Sequence, residues 1–486
     1  MTTTSNGDAQ PTKQSVKQSA KQTAQQSAKQ TAQQATLTTY RVLVIGGGNA
    51  GLSVAGRLQR AGIPDITVIE PRVNHVYQPM LSHVAGGTAR ASQATRPQAD
   101  VMPPGVTLLR DAVASVDPET SSLVLESGRR VGYEHLIVCP GIVQDWDAVP
   151  GLRAALQSPS VASSYEIGLA DKTSHLLRDL REGTAVFVQA PEPASFAGAI
   201  QKPMYLACDY WRARGVLDRI RVVLVLPDAT PLGVPEIDAE LERKVAEYGI
   251  EVRRESRLSE VVADSSTAVI DRAAVGTAAI GTAAIDTGGI GAGAHSPAAA
   301  NPAASSPAAA SPAAETGAAF DVEGESERIH YDALVVEPPQ RAPAWIAEAG
   351  LAAAAPPMDS EGGFVDVNGR TLQHRRYPNV WSLGDAAVSG SQRSGGALRK
   401  QTKALAENLA GVLGGQAARS EYDGYTVAPF TVSRSSVVFA EFDADGQQRP
   451  SVPFWKGLAR ERRLTWVFDR RVLPWVYWNL ILKGRA

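Results

Sequence analysis

The sequence predicts an α/β protein built on parallel sheets, and two patterns carry that expectation. Short β-rich apolar runs at 42–45, 67–69, 136–138, 185–188, 222–226 and 334–336 alternate with helical stretches, the order expected of buried strands joined by crossover helices. The first of them, Arg41-Val-Leu-Val-Ile45, leads directly into Gly46-Gly-Gly-Asn-Ala-Gly51 and a helical stretch at 52–60. With 486 residues, 44% apolar and 20% charged, the chain has material for about two to four domains, and wholesale disorder is excluded.

Gly46, Gly48 and Gly51 fit G-x-G-x-x-G with a strand before and a helix after, the context that gives the pattern meaning. The first glycine permits the tight turn, the second lets backbone amides approach a pyrophosphate, and the third allows the helix to pack close on the strand. The helix N-terminus then turns its partial positive charge toward the phosphates. A second strand at 65–69 ends in Glu70, whose carboxylate is placed to accept hydrogen bonds from a ribose free of phosphate. Read from these residues the ligand is FAD or NAD; a glycine turn without ligand is the competing explanation, and the ordered context weighs against it.

Composition excludes other classes. Lysine plus arginine is 48 and aspartate plus glutamate 50, a formal net charge of −2, so no global field draws the chain to nucleic acid. Cys139 and Cys208 are the only cysteines, too few for a disulfide scaffold or a thiolate-only zinc site, and no metal centre is expected. No apolar run reaches the about 18 residues of a membrane span, and the first residues lack the apolar core of a signal peptide, so a cytoplasmic protein is expected. Residues 1–38 repeat Ser15-Val-Lys-Gln, Ser19-Ala-Lys-Gln and Thr23-Ala-Gln-Gln without an apolar face, which predicts a disordered tail. A second low-complexity stretch, 273–319, has the same character and is expected to interrupt a domain at a strand-to-strand loop, where length costs little.

A distant segment separates the two dinucleotides. Pro378-Asn-Val-Trp-Ser-Leu-Gly384-Asp385 reads as an apolar strand ending in Gly-Asp. It resembles the second flavin motif of two-dinucleotide-domain flavoproteins, in which the aspartate meets the ribityl chain and the next helix points its N-terminus at the ring. Leu136-Ile-Val-Cys-Pro-Gly141 resembles their central strand and turn beside the cofactor. The two resemblances imply FAD and a pair of Rossmann-like domains.

Further stretches narrow the resemblance. Asn74-His-Val-Tyr-Gln-Pro79, Arg96-Pro97, Ala197-Gly-Ala-Ile-Gln-Lys-Pro-Met-Tyr-Leu206, Leu372-Gln-His-Arg-Arg-Tyr-Pro-Asn-Val380, Tyr422-Asp-Gly-Tyr425 and Phe439-Ala-Glu-Phe-Asp443 resemble the sulfide:quinone oxidoreductases of the mitochondrial type and their bacterial relatives, over 39–485. By position the resemblance implies FAD contacts at Gly46, Gly48, Asn49, Ala50, Gly51, Glu70, Gln78, Val113, Gly141, Gly384 and Asp385. It also implies a monotopic membrane enzyme that oxidises sulfide through FAD and passes electrons to quinone.

That chemistry needs two redox cysteines, and the family positions are Phe196 and Ala386. Neither side chain can hold a persulfide or form a thiolate adduct with a flavin. Cys139 reads as a packing thiol in a strand-end turn. Cys208 is about 18 Å from Phe196 along a continuous helix, too far to replace it. After the 185–190 run, Pro191-Glu-Pro-Ala-Ser-Phe196 stands where a second phosphate-binding glycine loop would be, which argues against NADH in the usual mode. Three polar residues keep two readings each: His75 as a proton gate or a carbonyl partner, Lys202 as a partner of a flavin or quinone oxygen or a solvated cation, and Arg393, with Ser394, at the flavin or on the surface.

The end of the chain, 464–486, gathers Trp466, Trp475, Tyr477 and Trp478 with Arg470, Arg471, Lys483 and Arg485. This suits an interfacial helix on lipid, with docking onto the protein as the competing reading; on the lipid reading, deletion from Leu473 onward leaves FAD bound. The expected organisation is a tail at 1–38, an FAD domain at 39–150 and 337–430, a central NAD(P)-like domain at 151–336, and a membrane-facing region at 431–486 that completes the FAD side. The function expected is an FAD-dependent oxidoreductase resembling sulfide:quinone oxidoreductase, peripheral to a membrane, with quinone as acceptor and a small-molecule reductant that no motif specifies. An NAD(P)H:quinone-type reductase and a non-catalytic flavin-binding membrane-surface protein are the alternatives.

Overall fold

The computed structural model describes residues 37–196, 198–272, 326–353, 363–443, 447–449 and 460–486. The 1–36 repeat and the 273–319 insert therefore lie outside the described residues.

Strand β1 (Thr38–Ile45) sits inside a seven-stranded sheet. It runs parallel to β2 (Ile66–Ile69) on one side and to β3 (Arg130–Val138) on the other, with Ile45 level with Ile69 and Val138. β4 (Val380–Ser382) pairs parallel with the last residues of β3, so the strand leading to Gly384 and Asp385 ends beside the one leading to Cys139. Thr107–Leu109 closes the β2 side, and the antiparallel strands Ser122–Leu125 and Val113–Asp117 close the other. The last four residues of β1 and all four of β2 are buried; such continuous apolar runs belong to a sheet covered on both faces. Helix α1 (Asn49–Arg60) and the helix Gly395–Leu413 cover one face through Leu52, Leu58, Leu405 and Leu409. Ile346, Phe364 and Tyr377 cover the other against Leu43, Leu136 and Val138.

The central sheet is wholly parallel, in the order Val161–Ala162, Ala333–Val336, Gly183–Val188, Ile220–Val225, Glu251–Arg253. A three-stranded antiparallel sheet adjoins it. Its strands Thr267–Arg272 and Ser326–His330, which flank the low-complexity insert, pair from Thr267 with His330 to Asp271 with Ser326. The two flanks are thus neighbours, which is the condition for tolerating a long insertion.

Two features depart from expectation. The hairpin Thr426–Ser433 and Ser436–Phe442 does not simply complete the first domain: Phe430, Val432, Val438 and Phe442 enter the core of the central one, beside Phe187, Met204 and Trp211. The C-terminal tract is docked. It runs helically from Arg463 to Ile481, with wider π turns at Phe468–Val472 and Tyr477–Ile481 around a short α segment, Leu473–Val476. Pro474 cannot donate to the turn before it, and such a defect is commonly absorbed by local widening of this kind.

Tyr477, Trp478 and Leu482 are buried against the first domain, with the Tyr77 and Tyr477 rings tilted against each other at 4.3 Å between centres and the Arg96 guanidinium 4.5 Å from the Trp478 ring centre. Arg470 turns inward to the Thr88 carbonyl and Met80, and Lys483 donates to the Met102 carbonyl, so both direct donors to the protein. Leu464, Val467, Phe468, Val472 and Trp475 nonetheless form an exposed apolar ridge on this helix. Among the described residues no helix is long and apolar enough to cross a membrane. Deletion from Leu473 would strip a buried face, so it cannot serve as a neutral test of lipid binding. Trp478→Ala is expected to cost about 3–5 kcal/mol by emptying that seat, read as a lower unfolding midpoint in denaturant.

Candidate functional site

The loop between β1 and α1 is shaped by what its glycines approach. Gly46 has φ +100°, and a Cβ there would stand 2.3 Å from the Cys139 carbonyl oxygen; a Cβ on Gly51 would stand 1.8 Å from the Gly46 oxygen. These are the tight turn and the close helix-to-strand contact expected of the first and third motif glycines. Gly48 differs, because no atom lies within 4 Å of where its Cβ would be. The second glycine opens on free space at the start of α1.

Gly47, outside the three motif positions, is gripped from both sides. Its N–H donates to Glu70 Oε2 at 2.8 Å, and its carbonyl accepts from Gln98 Nε2 at 2.9 Å and meets His75 Nδ1 at 3.1 Å. Glu70, 2% exposed, also accepts from the Arg72 N–H and Nε through Oε1. Oε1 thus accepts twice, while Oε2 retains lone-pair capacity for a further donor. His75 is therefore a carbonyl partner, with its second nitrogen 2.6 Å from the Tyr477 hydroxyl. Burial holds its imidazole down at about 4, which keeps it neutral at pH 7.

The second half of the site arrives from β4. Gly384 has φ +72°, and a Cβ there would meet Ala50 at 3.3 Å; a Cβ on Gly395 would meet Asn49 at 3.7 Å. The N-termini of α1 and of helix Gly395–Leu413 are thus neighbours. Ser394 caps the latter, accepting from the Ala397 N–H at 3.1 Å. Asp385 accepts from Ser195 Oγ at 2.6 Å, while Arg393 Nε donates to the Asp385 carbonyl at 3.2 Å. Burial raises the Asp385 carboxyl, and Ser195 and the Arg393 charge oppose it. With a side chain 7% exposed, 3.8 Å from Glu192 and packed over Phe364, Arg393 belongs to this site and not to the surface.

Phe196 and Ala386 lie on the same side as Asp385. Ala386 is fully buried, its carbonyl accepting from the Val365 N–H. Phe196 donates its N–H to the Arg393 carbonyl at 2.9 Å and has φ +64°, a left-handed conformation uncommon for a bulky side chain. Its ring packs on Phe430 at 5.6 Å, with Lys202 Nζ 4.1 Å from its centre. Lys202 is 5% exposed, so the solvated reading fails; burial pushes its ammonium down to about 8, with the Asp469 charge opposing.

Both cysteines are free and buried, and burial raises both thiols, which makes them poor nucleophiles. The helix carrying Cys208 begins only at Gln201, so no continuous helix reaches it from Phe196. The same late start leaves no helix N-terminus directly after the strand Gly183–Val188.

Gly46, Gly48, Asn49, Ala50, Gly51, Glu70, Gly384 and Asp385 are brought together, with the turn leading to Gly141 lying over Gly46. Gln78, exposed at the head of a short 3-10 turn, and Val113, at the start of an outermost strand, have no hydrogen bond to the loop among the described residues. Sequence reasoning missed Gly47, Gln98 and Ser195. Only the run of three glycines hinted at the first.

The pyridine nucleotide-disulphide oxidoreductase family model matches residues 40–280. The mitochondrial sulfide:quinone oxidoreductase of Mus musculus is 28% identical over 446 residues, 92% of this chain and 87% of that one. Its counterpart in Dictyostelium discoideum is 28% identical over 448 residues, 92% and 86% of the two chains. In fold, the sulfide:quinone oxidoreductase structure from Aquifex aeolicus superposes with a TM-score of 0.67 at 16% identity, covering 92% of each chain. With two dinucleotide-binding folds meeting at one site and a likeness that runs nearly end to end, this chain is a flavoprotein oxidoreductase of the pyridine nucleotide-disulphide oxidoreductase type, similar to the sulfide:quinone oxidoreductases.

Proposed function

We propose that the chain holds FAD and uses it to pass electrons from a small-molecule reductant to quinone at a membrane surface, without the sulfur relay of its relatives. The observation that carries the cofactor is the open space at Gly48, framed by the N-termini of two helices and by Glu70 and Asp385. Phosphates suit the helix N-termini, a ribose suits Glu70, and the ribityl chain suits Asp385. Asn49, Ala50, Gly141 and Gly384 line the same loops, and Gln78 and Val113 are carried as contacts by family position. Bound FAD supplies the means to take two electrons from one partner and give them to another.

The protein's own groups set the environment. Lys202, a buried cation with no ion pair among the described residues, suits an electron-rich oxygen of flavin or quinone. Phe196 and Ala386 offer no nucleophile. The ridge Leu464, Val467, Phe468, Val472 and Trp475 suits shallow insertion into lipid, the source of an apolar quinone. The chemistry of the donor differs from that of a persulfide-forming substrate, since nothing at 196 or 386 can form the bond.

Purified protein is expected to be yellow, and Gly48→Val to lose the flavin because isopropyl fills the phosphate space; colourless wild-type protein that takes up no added FAD would sink the reading. Val472→Glu with Trp475→Glu is expected to lower partitioning onto phosphatidylcholine and phosphatidylserine vesicles by at least about tenfold without loss of FAD, whereas unchanged co-sedimentation would remove the membrane from the account. Sulfide-dependent quinone reduction should be near background, several orders of magnitude below a cysteine-bearing relative, and recover only when Phe196→Cys and Ala386→Cys are combined. Turnover on the order of 1–1,000 per second by the unaltered protein would show that another group carries the sulfur.

A further inference from the structure

The C-terminal helix and the glycine loop, separate features in the sequence, share one hydrogen-bonded chain. Tyr477 and His75 are both 3% exposed, and the Tyr477 hydroxyl is 2.6 Å from His75 Nε2. Burial keeps the phenol protonated and the imidazole neutral. The phenol therefore donates to Nε2, and Nδ1–H donates to the Gly47 carbonyl at 3.1 Å. Without the Tyr477 hydroxyl, Nε2 becomes a buried acceptor with no donor, and the imidazole that donates to the Gly47 carbonyl beside Gln98 is held from one side only.

The helix end also grips α1. A Cβ on Gly484 would stand 2.3 Å from the Arg57 nitrogen, and one on Gly56 would stand 2.8 Å from the Gly484 nitrogen. Arg57 reaches the Ala486 carbonyl, and Lys483 reaches the Met102 carbonyl at 2.7 Å. One segment thus bears on both the Gly47 peptide and the helix that follows it.

We propose that Tyr477 and His75 are positioning residues for the dinucleotide, so that cofactor binding and the seating of the C-terminal helix are thermodynamically coupled. The proposal rests on the FAD reading above. Coupling of this kind is reciprocal: whatever seating the helix does for FAD affinity, FAD does for the helix.

The test titrates full-length, flavin-stripped protein with FAD, following flavin fluorescence, and separately measures proteolytic cleavage within 464–486 with and without FAD. Tyr477→Phe keeps the ring on Tyr77 and removes one hydroxyl; it is expected to raise the FAD dissociation constant about tenfold. His75→Gln should do at least as much, and the double variant no more than His75→Gln alone, because both act through one chain. FAD should slow cleavage of the wild-type helix, and much less that of Tyr477→Phe. A dissociation constant for Tyr477→Phe within twofold of wild type, or effects of the two substitutions that simply add, would overturn the coupling while the FAD reading stands. Wild-type protein that takes up no FAD would overturn both.

Discussion

The site depends on how one peptide, that of Gly47, is held. Its N–H ends on a buried carboxylate and its carbonyl on an amide and an imidazole, so both polar groups are satisfied by side chains and not by the ligand. That leaves the amides around Gly48 and the start of α1 to face outward. It also explains a glycine at 47, where a Cβ would lie 2.6 Å from Gln98 Nε2 and 2.7 Å from Glu70 Cβ. The three consecutive glycines answer three demands: closeness to Cys139 at 46, room for the clamp at 47, and open space at 48.

Order around that peptide propagates outward. Parallel pairing of β1 with β2 and β3 sets Ile45, Ile69 and Val138 level, which brings Glu70 and the Cys139 carbonyl to the loop together. β4 adds Gly384 and Asp385 at the same sheet end. Ser195 reaches Asp385 from the central domain, so the meeting of the two folds is itself part of the site. The C-terminal helix closes the far side through His75. A residue that the sequence presents as a loop histidine is thus the joint between the C-terminal helix and the glycine loop.

What was legible in the sequence was local. Strand, glycines, helix, strand and acid lie within one short stretch, and each has a reason that its neighbours in the chain supply. Gly384-Asp385 was legible only through its resemblance to a flavin motif. The clamp was not legible, because its partners lie 23, 28 and 51 residues from Gly47 and the tyrosine behind His75 lies 402 residues from it. Periodicity likewise says which residues of 464–486 are apolar, but not which face is already covered. Arg470 and Lys483 look like interfacial cations in sequence and spend their donors on backbone carbonyls in the fold. Lys202 and Arg393 were ambiguous for the same reason: burial is decided by residues far away in the chain.

The side chains around the glycine loop bear on the proposed chemistry. Phe196 keeps its backbone contact to Arg393 and fills the space over Lys202, and Ala386 sits fully buried beside Asp385. The remaining thiols are buried and raised, so neither stands in for the missing pair. The family likeness and the side chains therefore lead to opposite expectations for sulfide. The direct measurement is anaerobic mixing of the flavin-loaded protein with sulfide, then with NADH and NADPH, while the flavin spectrum is recorded. Sulfide is expected to leave the oxidised flavin spectrum unchanged, with no long-wavelength band, while dithionite still bleaches it. Rapid bleaching by sulfide, or a new long-wavelength band, would contradict that expectation.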